Sequence, residues 1–119
     1  MLLRRAATAT PPRPDFARAL ARLVATDGSL RIAALAAELG CSRRHLSASF
    51  HSELGLAPKA YARILRFRRA TALLDRGVGL ARVAAESGYA DQPHLNREFR
   101  ALGGRTPVTF LQDRALAAA

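Results

Sequence analysis

The stretch Cys41-Ser-Arg-Arg-His-Leu-Ser-Ala-Ser-Phe-His-Ser-Glu-Leu54 decides how this chain folds. Leu46, Phe50 and Leu54 recur at i, i+4 and i+8, the spacing of a buried helical stripe. On the other side Arg44, Ser47, Ala48 and His51 recur at i, i+3, i+4 and i+7. They set a cation beside small and hydrogen-bonding side chains, a surface that suits a helix pressed against base edges. On a lone helix the same polarity is usually just a solvated face. A second occurrence of the pattern would shift that balance.

Upstream, Ile32, Leu35, Ala36 and Leu39 form a short apolar stripe stopped by Gly40, and Ser42 is a good N-cap for a helix opening at Arg43. Helix, glycine-containing turn of about three residues, helix is the helix-turn-helix arrangement. Before it, Asp15 can cap a helix to about Thr26 with Phe16, Leu20, Leu23 and Val24 on its apolar side; Asp27-Gly28-Ser29 ends it. Residues 1–14 contain three prolines and no period, and are expected to be a disordered arm or linker stub.

Downstream, Gly55 closes the opening helix and Pro58 stands at the first position of a long one reaching about Arg76. Its apolar positions are Tyr61, Ile64, Leu65, Ala70, Leu73 and Leu74. Lys59, Arg63, Arg66, Arg68, Arg69 and Arg76 make the rest strongly basic, opposed by Asp75. At 1.5 Å per residue this helix is about 27 Å long. Gly77-Val-Gly79 ends it, and Leu80, Val83 and Ala84 open another short helix stopped by Gly88. Tyr89 lies in the turn. Asp91 caps the next helix, which carries Leu95, Phe99 and Leu102 inward, and Thr106-Pro107 opens a last one containing Val108 and Phe110-Leu111. Residues 114–119 are expected to fray.

The second occurrence is there. Ala36-Ala37-Glu38-Leu39-Gly40 recurs as Ala84-Ala85-Glu86-Ser87-Gly88. After a one-residue insertion, His45, Leu46, Phe50, Gly55, Pro58 and Tyr61 recur as His94, Leu95, Phe99, Gly104, Pro107 and Phe110, each displaced by 49. The outward stripe is displaced equally: Arg44, Ser47, Ala48 and His51 become Pro93, Asn96, Arg97 and Arg100. Two such units joined by a basic helix of about 27 Å could present their second helices about one DNA turn, ~34 Å, apart. The expected fold is all-α: seven short helices in two helix-turn-helix subdomains (15–57 and 77–113) joined by a long basic linker helix (58–76).

The totals agree. Nineteen basic residues against nine acidic give a formal charge of +10 on 119 residues, which favours a polyanionic partner: nucleic acid or an anionic membrane surface. Many short, capped helices argue against the membrane. One cysteine rules out an internal disulfide framework and fits a reducing cytoplasm. No apolar run approaches bilayer-spanning length, and the basic Met-Leu-Leu-Arg-Arg start lacks the apolar segment of a secretory signal.

From Asp15 to Leu111 the sequence resembles the DNA-binding domain of AraC/XylS-type transcriptional regulators. The residues carrying this are Leu35 to Leu46 with Phe50, Gly55, Pro58 and Tyr61, and Leu65 to Ala70 with Leu73-Leu74. In the second half they are Val83-Ala84, Gly88 to Gln92, His94-Leu95, Arg97, Phe99-Arg100, Gly104 and Thr106-Pro107. The resemblance implies two recognition helices and a monomer spanning adjacent major grooves of a promoter. The chain departs from the family pattern at Leu111, where an arginine commonly follows the aromatic residue. It departs also at Ala57, where a capping Ser or Thr is common, and at Ala48, where a long polar side chain is frequent. The family usually joins this domain to a ligand-sensing or dimerising domain, which is absent from these 119 residues. The chain is therefore expected to be either a standalone regulator or a piece of a longer one.

Base contacts are expected from Arg44, Ser47, Gln92, Asn96 and Arg97. Arg97 leads, because a guanidinium fork can take guanine O6 and N7. Against it stands a phosphate contact or a bridge to Glu98 or Asp91. Asn96 could read adenine or be merely solvated, and Gln92 suits a phosphate as well as a base. DNA backbone contacts are expected from Ser42, Arg43, His45, His51, Lys59, Arg63, Arg66, Arg69, His94 and Arg100. His45 and His51 are six apart and face different ways, so Cys41 and the histidines lack zinc-ligand spacing, and Cys41 reads as a small buried turn residue. No nucleophile elbow, paired carboxylates or phosphate-cradling glycine loop suggests an enzyme or a cofactor. The expected function is sequence-specific double-stranded DNA binding for transcription regulation in the bacterial cytoplasm, on the nucleoid. The alternative is a helical module docking on RNA polymerase or another protein, with only non-specific nucleic-acid binding.

Overall fold

A computed structural model describes residues 14–118. They form α1 (Pro14–Ala25), α2 (Ile32–Leu39), α3 (Arg43–Leu54), α4 (Pro58–Asp75), α5 (Leu80–Glu86), α6 (Gln92–Gly103) and α7 (Pro107–Ala118). No strand occurs among the described residues. The expected arm at 1–14 falls, except for Pro14 at the start of α1, outside them.

Two apolar cores are built around the two duplicated Leu-Phe pairs. The first gathers Phe16, Ala19 and Leu23 of α1, Leu35 and Ala36 of α2, Leu46 and Phe50 of α3, and Ala62 and Leu65 of α4. The second gathers Ala70, Leu73 and Leu74 of α4 with Val83, Ala84, Tyr89, Leu95, Phe99 and Phe110. Phe50 and Phe99 are both fully buried, each contributing about 2–3 kcal/mol of apolar transfer. Phe16 meets Phe50 edge-on with centroids 5.0 Å apart, and Phe67 meets Phe99 at 4.7 Å. On the far side Tyr61 lies 6.4 Å from Phe50, as Phe110 lies 5.7 Å from Phe99.

These ring pairs show what α4 is. Its first half closes the first unit, in the place α7 takes in the second. Its second half opens the second unit, with Phe67 in the place of Phe16. It belongs to both cores. The molecule is accordingly elongated, 46 × 32 × 20 Å.

Several expectations change. Val24, Ile64, Leu102 and Val108 lie on the exposed margins of their helices, between 37% and 49% accessible, because the stripe each extends is already filled by its buried neighbours. Tyr89 does lie in the α5–α6 turn, and its side chain is also part of the second core, at 5% exposure. Cys41 is half-buried, packed on the first core. The last helix does not fray at Arg114 but runs to Ala118. Arg114 reaches back to both carboxylate oxygens of Asp75, at 2.9 and 2.5 Å, and its guanidinium lies 5.5 Å from the Phe110 ring centre.

Candidate nucleic-acid interface

Helices α3 and α6 begin and end alike. Ser42 Oγ accepts the His45 amide at 3.0 Å, and Asp91 Oδ1 accepts the His94 amide at 2.8 Å. At the other ends Gly55 and Gly104 adopt left-handed conformations and donate to the carbonyls of His51 and Arg100. Each is a 12-residue helix buried through one Leu-Phe pair, so the opposite residues face outward by helical periodicity.

On α3, Arg43, Arg44, Ala48 and His51 are exposed and Ser47 is half-buried. The His51 Nδ1–H donates to the Ser47 carbonyl at 3.0 Å, which leaves Nε2 as the acceptor of the neutral ring. On α6, Gln92, Arg97 and Arg100 are exposed and Asn96 is half-buried. Arg97 makes no ion pair among the described residues, because neighbouring Glu98 is taken by Arg63. Neither Glu98 nor Asp91 forms a salt bridge with Arg97.

The histidines occupy equivalent positions with different partners. His94 Nδ1 accepts the Ala90 amide at 3.1 Å, placing the proton of its neutral ring on Nε2. His45 Nε2 meets Asp15 Oδ2, and that hydrogen bond leads the effects that draw the Asp15 carboxyl below its ordinary range. Ser42 is exposed with its hydroxyl engaged in the cap.

The linker cations divide. Lys59 is exposed and unpaired among the described residues, while Arg69 stands 3.8 Å from Glu86. Arg63 and Arg66, expected on the phosphate side, are half-buried and bonded to partners within the protein. Arg63 grips Glu98 through Nε and Nη2, both at 3.0 Å. Arg66 Nη1 donates to the Gly28 carbonyl at 2.8 Å. The hydrogen bond from Arg63 is the main reason the Glu98 carboxyl is held low. Tyr89, buried beside these groups, is pushed up to about 12, first by burial and then by Glu98. Sequence spacing missed this group, since its partners are 35 and 38 residues apart. The one available signal was Glu98, the lone acid of an otherwise basic helix. No group of three His, Cys, Asp or Glu side chains among the described residues could hold a metal ion, and no described helix is long and apolar enough to cross a membrane.

Two capped helices with duplicated polar faces, mounted on one shared helix, define a double helix-turn-helix DNA-binding domain. Residues 35–113 match the family model described as a helix-turn-helix domain, and the chain belongs to that family, of the AraC type. Its fold is similar to that of a transcriptional regulator of Chromobacterium violaceum described as AraC-type DNA-binding domain-containing. The TM-score is 0.75 at 28% identity, covering 86% of this chain and 93% of that one. The DNA-binding domain of AdpA, a global transcriptional factor solved with a target DNA, shares the fold at TM-score 0.76 and 24% identity, over 87% and 93% of the two chains. In sequence the chain is similar to an uncharacterized HTH-type transcriptional regulator, YbfI, of Bacillus subtilis (strain 168), 36% identical over 56 residues. That match spans 47% of this chain and 20% of the relative's length.

Proposed function

We propose that the chain binds double-stranded DNA sequence-specifically to regulate transcription, with α3 and α6 entering successive major grooves from one face of the duplex. The observation that carries this is the pair of equally capped helices whose outward arginines, Arg44 and Arg97, have no ion pair among the described residues. The long dimension of 46 Å leaves room for two helices about one DNA turn, ~34 Å, apart. The AdpA domain, similar in fold, is solved with its target DNA.

In this reading Arg97 and Asn96 read bases from α6 with Gln92 at its start, and Arg44 and Ser47 read from α3. Arg43, Lys59, Arg69 and Arg100 neutralise phosphates, and Ser42, His45, His51 and His94 are near-backbone partners. His94 offers a fixed Nε2–H donor to a phosphate oxygen. The protein acts as a regulator without chemistry of its own, in the cytoplasm and on the nucleoid. With Ala48 on its outward face α3 mainly seats the domain, while α6 gives the sharper readout.

Titration against a preferred and a scrambled duplex across a range of salt tests this. The preferred duplex should bind at least about 10³-fold tighter. Arg97→Ala should cost about 1–3 kcal/mol on it while leaving the scrambled affinity nearly unchanged. Equal binding of both duplexes by the unaltered protein would sink the reading in favour of a non-specific docking module.

A further inference from the structure

We propose that Arg66 and the Arg63–Glu98 pair are positioning residues that lock the two helix-turn-helix units at one angle and thereby set the half-site spacing the protein accepts. This rests on the two-groove reading above. The continuous α4 ties the units together, and apart from the Arg63–Glu98 pair each unit's recognition helix packs on it through its own core. Three contacts cross between them. Arg66 of α4 donates to the Gly28 carbonyl in the α1–α2 turn at 2.8 Å. The α1–α2 turn meets the α5–α6 turn directly: a Cβ on Gly88 would lie 3.3 Å from both Ser29 Cβ and Arg66 Cδ. Arg63, from the half of α4 that closes the first core, holds Glu98 on α6.

The seam is built for orientation more than for stability. Buried Arg66 Nε and Tyr89 Oη have no hydrogen-bond partner, and a purely stabilising contact of this size would be better made from apolar side chains. A guanidinium bonded to one carbonyl, and a two-pronged Arg–carboxylate pair, have directional geometry that an apolar contact lacks. Rotating α6 relative to α3 must break them. One inserted base pair rotates the second groove by about 35° and shifts it about 3.4 Å, so a locked seam cannot follow it.

The experiment is a spacing series on the preferred duplex, with one or two base pairs inserted or deleted between the half-sites. The unaltered protein should lose about tenfold or more per step, the size of a lost base contact. Arg66→Met with Glu98→Gln should cut that penalty to about threefold, leaving base preferences within each half-site as they were. An unchanged penalty overturns the proposal. So does uniform weakening with a flatter salt slope, the signature of a phosphate contact. A second measurement needs no DNA: the distance between spin labels on Ser52→Cys and Ala101→Cys, in a Cys41→Ser background. It should be narrowly distributed with the native seam and broad in the Arg66→Met protein. Equal widths overturn the proposal. If the two-groove reading itself failed, the unaltered protein would prefer no duplex while the distance distribution still broadened.

Discussion

Gly28 has the least room for a side chain of any glycine among the described residues. Its φ is +75°, and a Cβ there would sit 2.3 Å from the Ala62 carbonyl oxygen, which is main chain and cannot swing away. Its own carbonyl takes the Arg66 donor. Gly28→Ala should therefore cost at least about 3 kcal/mol in urea unfolding, combining left-handed strain with displacement of α4. Nearby, Glu98 and Tyr89 give stability opposite pH signs. The Glu98 carboxyl is lowered by Arg63, so its contribution is present above the unfolded value of 4.5 and is lost as pH falls through the folded one. The Tyr89 hydroxyl is raised from 10.0 to about 12, so its contribution is full below 10 and disappears as pH rises through 12. Tyr89→Phe should flatten the alkaline branch of unfolding midpoints, and Glu98→Gln the acid branch. Parallel curves for variant and parent would refute the assignment.

At the scale of elements, α4 is the informative case. It is preceded by Ala57, whose backbone has the extended N-cap conformation but whose side chain makes no cap bond. Ala57→Ser should stabilise the domain by about 0.5–1 kcal/mol, seen as a higher thermal midpoint. No gain would mean the amides of the first turn are already satisfied. The spacing of Leu46 and Phe50, and of Leu95 and Phe99, was legible because helix periodicity is local. So were the caps at Ser42 and Asp91. Membership of α4 in both cores was not. Phe67 stands inside Arg66-Phe-Arg-Arg, and a charge run masks an inward ring. The same run suggested a phosphate-facing surface for Arg63 and Arg66, whose partners lie in distant segments and leave no periodic trace. Ala115–Ala119 carries no pattern, so the sequence predicts fraying at the end of the last helix; its anchor is Arg114 on Asp75.

For the whole molecule, the count of nineteen basic residues overstates what DNA would meet. Arg22, Arg63, Arg82, Arg105 and Arg114 are spent on carboxylates. The exposed, unspent cations of α3, α6 and the start of α4 are fewer, so the logarithm of affinity against that of salt should slope at about −4 to −6. Arg100→Ala should reduce that slope by about one, whereas Arg66→Met should leave it unchanged. A slope near zero would remove phosphate from the account. The central claim is that two recognition helices read DNA together, and unbiased selection of bound sequences by the unaltered and Arg97→Ala proteins tests it most directly. The unaltered protein should recover two conserved blocks with centres about 10 base pairs apart, and Arg97→Ala should blur one block only. A single block, or equal loss of preference at every position, would contradict it.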